Sequence, residues 1–140
     1  MGNRFDIGCE MLEQVDGQEG ITVIESLADI APDIGRFIVE FAFGDIYARD
    51  DLSLRERELI TISSLCTQGA ADPQLKVHVR GALNVGVLPE EVIGAFIQCI
   101  PYVGFPRVLN AVSVARAVFE ESNCRIKKET KLRFPSSSAM

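Results

Sequence analysis

From residue 21 onwards, apolar side chains recur every three or four positions along most of the chain. The first such series consists of Ile24, Leu27, Ile30, Ile34, Ile38 and Phe41. This spacing places the side chains on one face of an α-helix. Pro32 interrupts the series, and proline is favoured in the first turn of a helix. We therefore predict that two helices divide near this residue.

The later helices are marked by start signals. Ser53 and Glu56 have the spacing of a capping box, in which each side chain bonds the backbone N–H of the other residue. A proline typical of a helix start opens each of the next three apolar segments, at Pro73, Pro89 and Pro106. Strand-type alternation is absent. The pattern therefore predicts an all-α protein of about six helices.

Residues 92–100 are apolar on nearly every side of their predicted helix. A helix with this pattern is buried on more than one side. Because so small a domain offers only one layer of neighbours, the segment also suggests an interface between subunits. Pro101 is expected to end or kink this helix.

The two ends of the chain differ from its middle. Residues 1–20 are rich in Gly, Gln and Glu, and we interpret them as a loosely packed lead-in to a helical domain over residues 21–125. Residues 126–140 are interpreted as a basic tail. The positive charges near this end are Arg125, Lys127, Lys128, Lys131 and Arg133. Such a run suits a nucleic-acid or membrane contact, but cations are also favoured at a solvated helix C-terminus, which is the interpretation we prefer.

The overall charge argues against a nucleic-acid partner, because the formal net charge is −6 and phosphate backbones attract positive surfaces. The longest uncharged stretch, residues 92–106, is shorter than the roughly twenty apolar residues that span a bilayer. The N-terminus lacks the basic-then-apolar layout of a secretory signal. We therefore expect neither a nucleic-acid nor a membrane partner.

The cysteine pattern indicates a reduced, cytoplasmic protein. The four cysteines are Cys9, Cys66, Cys99 and Cys124. They show neither a zinc spacing nor a C-x-x-C redox pair. Cys66 and Cys99 lie in apolar runs, so we expect them to be small core residues.

His78 is the only histidine and the first candidate for chemistry. Its spacing from Leu75 and Ala82 places it on the inward face of its helix. An inward histidine is often an ordinary core residue. However, Glu58 shares a face with apolar residues of the preceding helix, and a partly buried carboxylate needs a partner such as an imidazole. We therefore predict a Glu58–His78 pair.

Several segments resemble the signature of the carboxymuconolactone decarboxylase family. The central segment reads HVRGALNVG over residues 78–86 and LPEEV over residues 88–92. The upstream segments are FAFGDIY over residues 41–47 and the stretch 54–62, and the downstream segment is YVGFP over residues 102–106 followed by Asn110-Ala111. The resemblance covers roughly residues 37–120, which is most of the chain.

The resemblance implies an all-helical AhpD-like fold assembled into trimers or hexamers. The family includes the decarboxylase of γ-carboxymuconolactone and thiol-dependent peroxidases. In the peroxidase branch a C-x-x-C pair precedes the histidine, and a glutamate on the preceding helix completes a proton relay. The matching relay residues are His78 and Glu58, whereas the thiol positions fall on or near Ala71 and Gln74. Because neither is cysteine, the resemblance favours the decarboxylase branch.

The implied decarboxylation needs no cofactor and no metal. Loss of CO₂ leaves a carbanion conjugated with the lactone carbonyl, so the protein has to stabilise an oxyanion and return a proton. His78 is the candidate general acid or oxyanion donor, and Glu58 orients it. Three cations and two neutral donors are candidates to bind the substrate: Arg80, Arg57, Arg49, Asn84 and Tyr102. Each also has a structural interpretation, as a surface cation, a helix-end asparagine or a packing tyrosine.

We therefore expect a cofactor-independent decarboxylase of a small carboxylated lactone, similar to γ-carboxymuconolactone, in the breakdown of aromatic compounds. Two alternatives remain open. One is an AhpD-like thiol antioxidant protein that uses an unusual cysteine pair, with Cys66 on the helix of Glu58. The other is a non-catalytic homo-oligomer that keeps the fold and binds a small ligand.

Overall fold

Six α-helices and one π-helical segment make up the part of the chain that a computed structural model describes, residues 2–124 and residue 135. In chain order they are α1 (Arg4–Ser26), α2 (Pro32–Phe37), the π-helical segment (Ile38–Tyr47), α3 (Leu54–Gln68), α4 (Asp72–Asn84), α5 (Pro89–Val103) and α6 (Phe105–Glu121). No strand occurs among these residues, so the predicted all-α class with about six helices is confirmed. Apart from the exposed Pro135, the predicted basic tail over residues 126–140 lies outside the described residues.

Residues 1–20 do not form the loosely packed lead-in that we expected. Most of them belong to α1, which buries Leu12 and Val15 and continues past residue 20. The helix is kinked at Gly17, where φ is 57°. Gly8 packs so closely on the backbone carbonyl of Val39 that a Cβ atom at this position would overlap it. The glycines of α1 break the regular spacing of its apolar residues, so the sequence pattern did not indicate a packed helix. They also allow α1 to pack closely on its neighbours.

Helix α2 starts at Pro32, as the sequence predicted, and leads directly into the π-helical segment. A π-helix closes wider, i→i+5 turns, so side chains four or five positions apart share one face and side chains three positions apart do not. The buried residues are therefore Val39 and Phe43, which pack on α1. Ile34 and Phe41, which we placed on the inward face, are each more than half exposed.

Helices α3 to α6 enclose the larger apolar core. The predicted capping box is confirmed, since Ser53 Oγ accepts from the Glu56 N–H at 3.1 Å and Glu56 Oε1 accepts from the Ser53 N–H at 2.9 Å. The fully buried residues of this core include Ile62 of α3, Val79 of α4 and Phe96 of α5. One face of α3 is thus fixed against this core.

Two observations on helix α5 bear on its prediction. It continues through Pro101 to Val103 and ends at Gly104, where φ is 84°, so Pro101 does not end it. Val92 and Phe96 are fully buried, but Ile97 is 57% exposed, so this chain alone covers one side of the helix and leaves another open. None of the described helices is long and apolar enough to cross a membrane.

Candidate active site

The predicted Glu58–His78 pair forms between α3 and α4. Glu58 lies in the second turn of α3, and its side chain is fully buried. His78 lies in the middle of α4, and its Nδ1 is 3.2 Å from Glu58 Oε2. The second ring nitrogen, Nε2, has no hydrogen-bond partner among the described residues.

Tyr47, at the end of the π-helical segment, holds the other oxygen of Glu58. Its hydroxyl donates to Glu58 Oε1 at 2.5 Å and lies 3.0 Å from Thr61 Oγ1. The Tyr47 ring stacks on Phe43, with ring centroids 4.6 Å apart. Both oxygens of the buried carboxylate therefore have a donor, which a buried charge requires.

A second buried carboxyl group comes from α1. Asp16 is 7% exposed, and its Oδ1 is 3.9 Å from His78 Nδ1. This oxygen has no hydrogen-bond partner in the described part of the chain. On α4, Gly81 leaves room for both acids, because a Cβ atom there would lie 2.8 Å from Asp16 Oδ1 and 3.1 Å from Glu58 Oε2. Two carboxyl groups and one imidazole thus converge on one turn of α4.

Burial and neighbouring charges shift the proton affinities of these groups. Burial raises the pKa of Asp16 to about 7; His78 opposes this effect, and Glu58 and Glu19 add to it. Burial would lower the pKa of His78, but the hydrogen bond and charge of Glu58, helped by Asp16 and Glu19, raise it overall. Burial and the charge of Glu58 also raise the pKa of Tyr47, which therefore stays a neutral donor. The site thus favours a protonated His78.

Asp16, Tyr47 and His78 border a cavity of about 470 Å³, with Glu58 behind them. Its polar lining comprises Asp16, Tyr47, Thr61, Gln74 and His78. The rest of the wall is mainly apolar and comes from α1, the π-helical segment and α4, namely Leu12, Gly20, Val23, Ile24, Ile38, Ala42, Phe43, Pro73 and Val77. The volume and the mixture of apolar walls with a few converging polar groups are typical of a small-molecule site.

Two of the predicted substrate-binding residues, Arg57 and Arg49, do not line this cavity. Arg57 Nη2 is 2.5 Å from Asp51 Oδ1 and donates to the Arg49 carbonyl at 3.0 Å. Arg49 Nη2 is 2.9 Å from Asp51 Oδ2. The hydrogen bonds from Arg49 and Arg57 lower the pKa of Asp51 to about 2. The two cations therefore organise the loop before α3.

Arg80, Asn84 and Tyr102, the other three predicted substrate-binding residues, do not line this cavity either. Arg80 Nη1 is 2.6 Å from Glu19 Oε1, and Arg80 also pairs with Glu121. Asn84 Nδ2 donates to the Val15 carbonyl at 2.9 Å. Arg80 and Asn84 line a second cavity of about 440 Å³, which shares Asp16 with the first. Tyr102 is 80% exposed near the end of α5. The structure therefore unites the predicted catalytic pair but brings none of the five predicted binding residues to its cavity.

The cysteines of the described chain do not line the cavity. Cys66 shares α3 with Glu58, but its side chain is buried in the larger core, and burial, with Cys99 nearby, raises the pKa of its thiol to about 11. Such a thiol carries little thiolate at neutral pH. The thiol-antioxidant alternative therefore finds no support at this cavity. Among the described residues there is also no group of three side chains suited to a metal ion.

Sequence reasoning missed Asp16, Tyr47 and Thr61. Asp16 lies in a glycine-rich stretch without an apolar period, so no pattern signalled its burial. Two signals were available for the others. Tyr47 ends an apolar run, where a buried tyrosine needs a hydrogen-bond partner for its hydroxyl. Thr61 follows Glu58 by three positions, a spacing that puts both on one helix face.

Comparison with known proteins shows which family and which relatives the sequence of this chain resembles. A sequence model of the carboxymuconolactone decarboxylase family matches residues 32–117. The chain is 31% identical to the 4-carboxymuconolactone decarboxylase of Acinetobacter baylyi over 129 residues, which are 91% of this chain and 96% of that protein. It is 27% identical to the nitrosuccinic acid decarboxylase of Metarhizium robertsii over 84% of this chain and 82% of that protein. Glu58 and His78 fall within the range matched by the family model, whereas Asp16 precedes it.

Proposed function

This chain belongs to the carboxymuconolactone decarboxylase family, and on that premise we propose that it is a cofactor-independent decarboxylase of a small organic acid. The observation that carries the proposal is the pair formed by the fully buried Glu58 and the partly exposed His78, of which His78 lines a largely apolar cavity. The two relatives that are named as decarboxylases support the same reaction class.

The reaction breaks the bond between the substrate carboxylate and its neighbouring carbon. CO₂ leaves, and the electron pair of the bond remains on that carbon, where an adjacent electron-withdrawing group delocalises it. One proton then adds to the carbon, so each turnover consumes one proton. A protein accelerates this sequence when it binds the delocalised anion better than the starting carboxylate and supplies the proton.

In this proposal His78 supplies that proton from Nε2. The Nδ1–H bond to Glu58 Oε2 fixes the orientation of the ring, and the charge of Glu58 favours the imidazolium form. Tyr47 fixes Glu58 in turn through its other oxygen. After the transfer, the neutral ring keeps its bond to Glu58 and takes up a proton from solvent.

The apolar walls of the cavity contribute to the same step. The negative charge of the substrate is localised on the carboxylate before CO₂ departs and spreads over several atoms afterwards. Apolar side chains such as Leu12, Phe43 and Val77 solvate a localised charge poorly. The cavity therefore disfavours the starting carboxylate more than the delocalised anion.

For the substrate, we propose a small carboxylated lactone similar to γ-carboxymuconolactone. Loss of CO₂ from this lactone leaves a carbanion that is conjugated with the lactone carbonyl, and protonation of the carbanion yields an enol-lactone. None of the five residues expected to bind substrate lines the cavity of this chain. We therefore propose a homo-oligomer, a trimer or a hexamer, in which a neighbouring copy supplies a cation to the second carboxylate. Exposed apolar residues on α5 and α6, such as Ile97 and Leu109, suit such contacts. The cytoplasmic location stays a prediction.

The test is an ultraviolet assay with freshly generated γ-carboxymuconolactone, which follows its conversion to the enol-lactone. His78→Ala is expected to lower kcat/KM by about 100-fold or more. Lys76→Ala is the matched control, because Lys76 lies on the same helix, outside the cavity, and pairs with Glu121 at 3.1 Å. It should leave kcat/KM nearly unchanged.

Two outcomes would count against the proposal. A folded His78→Ala protein with full activity would show that His78 is not the proton donor. A folded wild-type protein that turns over neither γ-carboxymuconolactone nor nitrosuccinic acid would remove the proposed reaction class. A non-catalytic role in binding a small acid would then take its place.

A further inference from the structure

The proposed mechanism leaves Asp16 without a role, although its surroundings are unusual for an acid. Asp16 is 7% exposed and lines the cavity, and its buried Oδ1 has no hydrogen-bond partner in the described part of the chain. Buried polar atoms nearly always have a partner. An ionised carboxylate without one is especially costly. These conditions favour a neutral carboxylic acid. Because Oδ1 is buried against Gly81, the acid can reach a ligand in the cavity only through its other oxygen, Oδ2.

The charged groups around Asp16 point in the same direction. Glu58 faces it from α3, and Glu19 lies one turn further along α1, where Arg80 of α4 binds it at 2.6 Å. The residue that faces it from the π-helical segment is the neutral Tyr47. His78 opposes these effects, but its Nδ1 is closer to Glu58, at 3.2 Å, than to Asp16, at 3.9 Å. Burial, together with these carboxylates, raises the pKa of Asp16 to about 7.

The two acids of the site are therefore suited to different tasks. Glu58 receives hydrogen bonds from Tyr47 and His78, which suit a carboxylate. Asp16 receives none from the described residues at Oδ1. Environments that separate two neighbouring acids in this way commonly assign them different protonation states and different roles. Gly81 permits the arrangement, since a side chain there would collide with both acids.

We propose that Asp16 is a substrate-binding residue whose neutral carboxylic acid donates a hydrogen bond to an anionic oxygen of the substrate. The oxyanion that forms as CO₂ departs provides such an oxygen inside the cavity. When Asp16 loses its proton, it loses the donor and adds a negative charge that repels the same oxygen. The identity of the ligand as a substrate rests on the proposed function, whereas the binding of a small anion does not.

Substitutions at position 16 separate a hydrogen-bond donor from a charge. Asp16→Asn keeps a donor of the same size that cannot ionise, and Asp16→Ala removes the donor. Glu13→Gln is the control, because it removes one negative charge from the exposed face of the same helix. The probe is propane-1-sulfonate, a small anion that stays ionised throughout, and its affinity is measured by isothermal titration calorimetry.

Near pH 6, the wild type, Asp16→Asn and Glu13→Gln are expected to bind the sulfonate with similar affinity. Asp16→Ala should bind it about 10- to 100-fold more weakly, the effect of one hydrogen bond to a charged group. Equal binding by Asp16→Ala and the wild type would overturn the proposal. So would an Asp16→Asn protein as weak as Asp16→Ala, because the ionised carboxylate would then be the binding form.

If a variant does not fold, carboxyl ¹³C NMR of the wild type decides the question. The resonance assigned to Asp16 has to report a protonated carboxyl group near pH 6, and an ionised signal there would overturn the proposal. Since the chain has one histidine, its ring signals give the charge of His78 in each variant directly. Affinities can therefore be compared at equal protonation of His78. In this comparison, the wild type should bind the sulfonate no more tightly than Asp16→Ala once the pH rises above about 7. Asp16→Asn should still bind it more tightly than Asp16→Ala.

These measurements do not depend on turnover. If the sulfonate pattern is found in a protein that decarboxylates nothing, the proposed function fails and the role of Asp16 in anion binding stands. If the protein decarboxylates its substrate but the pattern is missing from both kcat/KM and sulfonate binding, only the role of Asp16 fails.

Discussion

Helix α3 borders two interiors of different character. Ile62 and Cys66 belong to the apolar core that α3 shares with α4, α5 and α6. Glu58 and Thr61 face the site that α1 and the π-helical segment enclose. The core side depends on many interchangeable apolar contacts, whereas the site side depends on a few polar atoms that each need one partner. The same helix is thus held by packing on one side and by specific hydrogen bonds on the other.

The elements that enclose the two interiors differ as well. The core is built from regular helices, apart from a proline within α5. The site is covered by a helix kinked at Gly17 and by a π-helical segment. Departures from regular geometry are commonly found beside functional sites, because they aim side chains in directions that a regular helix does not offer.

The largest expected effect tests the core side of this comparison. Ile62→Ala should lower the free energy of unfolding by about 2–5 kcal/mol, because Ile62 is fully buried and truncation leaves a cavity. Ile30→Ala makes the same chemical change at a residue that is 82% exposed, and should change it by less than about 0.5 kcal/mol. Urea unfolding followed by circular dichroism measures both. Equal losses would mean that the core does not hold α3.

The contrast between regular helices around the core and irregular ones around the site explains how much of the fold could be predicted from the sequence. Periodic apolar residues and start signals such as the Ser53–Glu56 box predicted the helices around the core. They work there because regular helices convert sequence spacing directly into shared faces. The spacing that placed Phe41 on the same face as Ile38 failed because the π-helical segment changes the number of residues per turn. The hydrophobic pattern contains no information about that change.

The site could be predicted in part for a related reason. His78 and Glu58 lie on the regular helices α4 and α3, so their spacing and polarity indicated an inward-facing pair. The burial of Asp16 depends on glycine-mediated packing of α1, which periodicity does not reveal. Arg57 and Arg80 illustrate the opposite error. Their cationic chemistry suited a carboxylate substrate, but in this chain carboxylates of the protein bind them.

The second prediction tests the electrostatics of the site side. Burial raises the pKa of Asp16 from 3.8 to about 7, so this group contributes stability that is fully present below about pH 4 and is lost as the pH rises to about 7. Between these values, the free energy of unfolding of the wild type should fall relative to that of Asp16→Asn by up to about 4 kcal/mol. Urea unfolding across this pH range measures the difference.

The control for this prediction is Glu13→Gln, an exposed change of equal charge on the same helix. Its stability should follow the wild-type pH dependence closely. If Asp16→Asn also follows it, the Asp16 carboxyl group ionises as easily in the folded state as in the unfolded state. The contrast between a neutral acid at position 16 and a carboxylate at position 58 would then be lost.

The smallest expected effect compares two helical glycines, one beside the site and one remote from it. Gly81→Ala would place a Cβ atom 2.8 Å from Asp16 Oδ1 and 3.1 Å from Glu58 Oε2, so it should lower the free energy of unfolding by about 1–3 kcal/mol. Gly94→Ala would place its Cβ in open space on α5, and should raise it by about 0.5–1 kcal/mol because alanine is the better helix former. Thermal and urea unfolding measure the change in the free energy of unfolding for each variant and show whether it is a loss or a gain. If Gly81→Ala stabilises the protein as Gly94→Ala does, the two acids can move apart without cost, and their convergence on α4 is not a constraint of the fold.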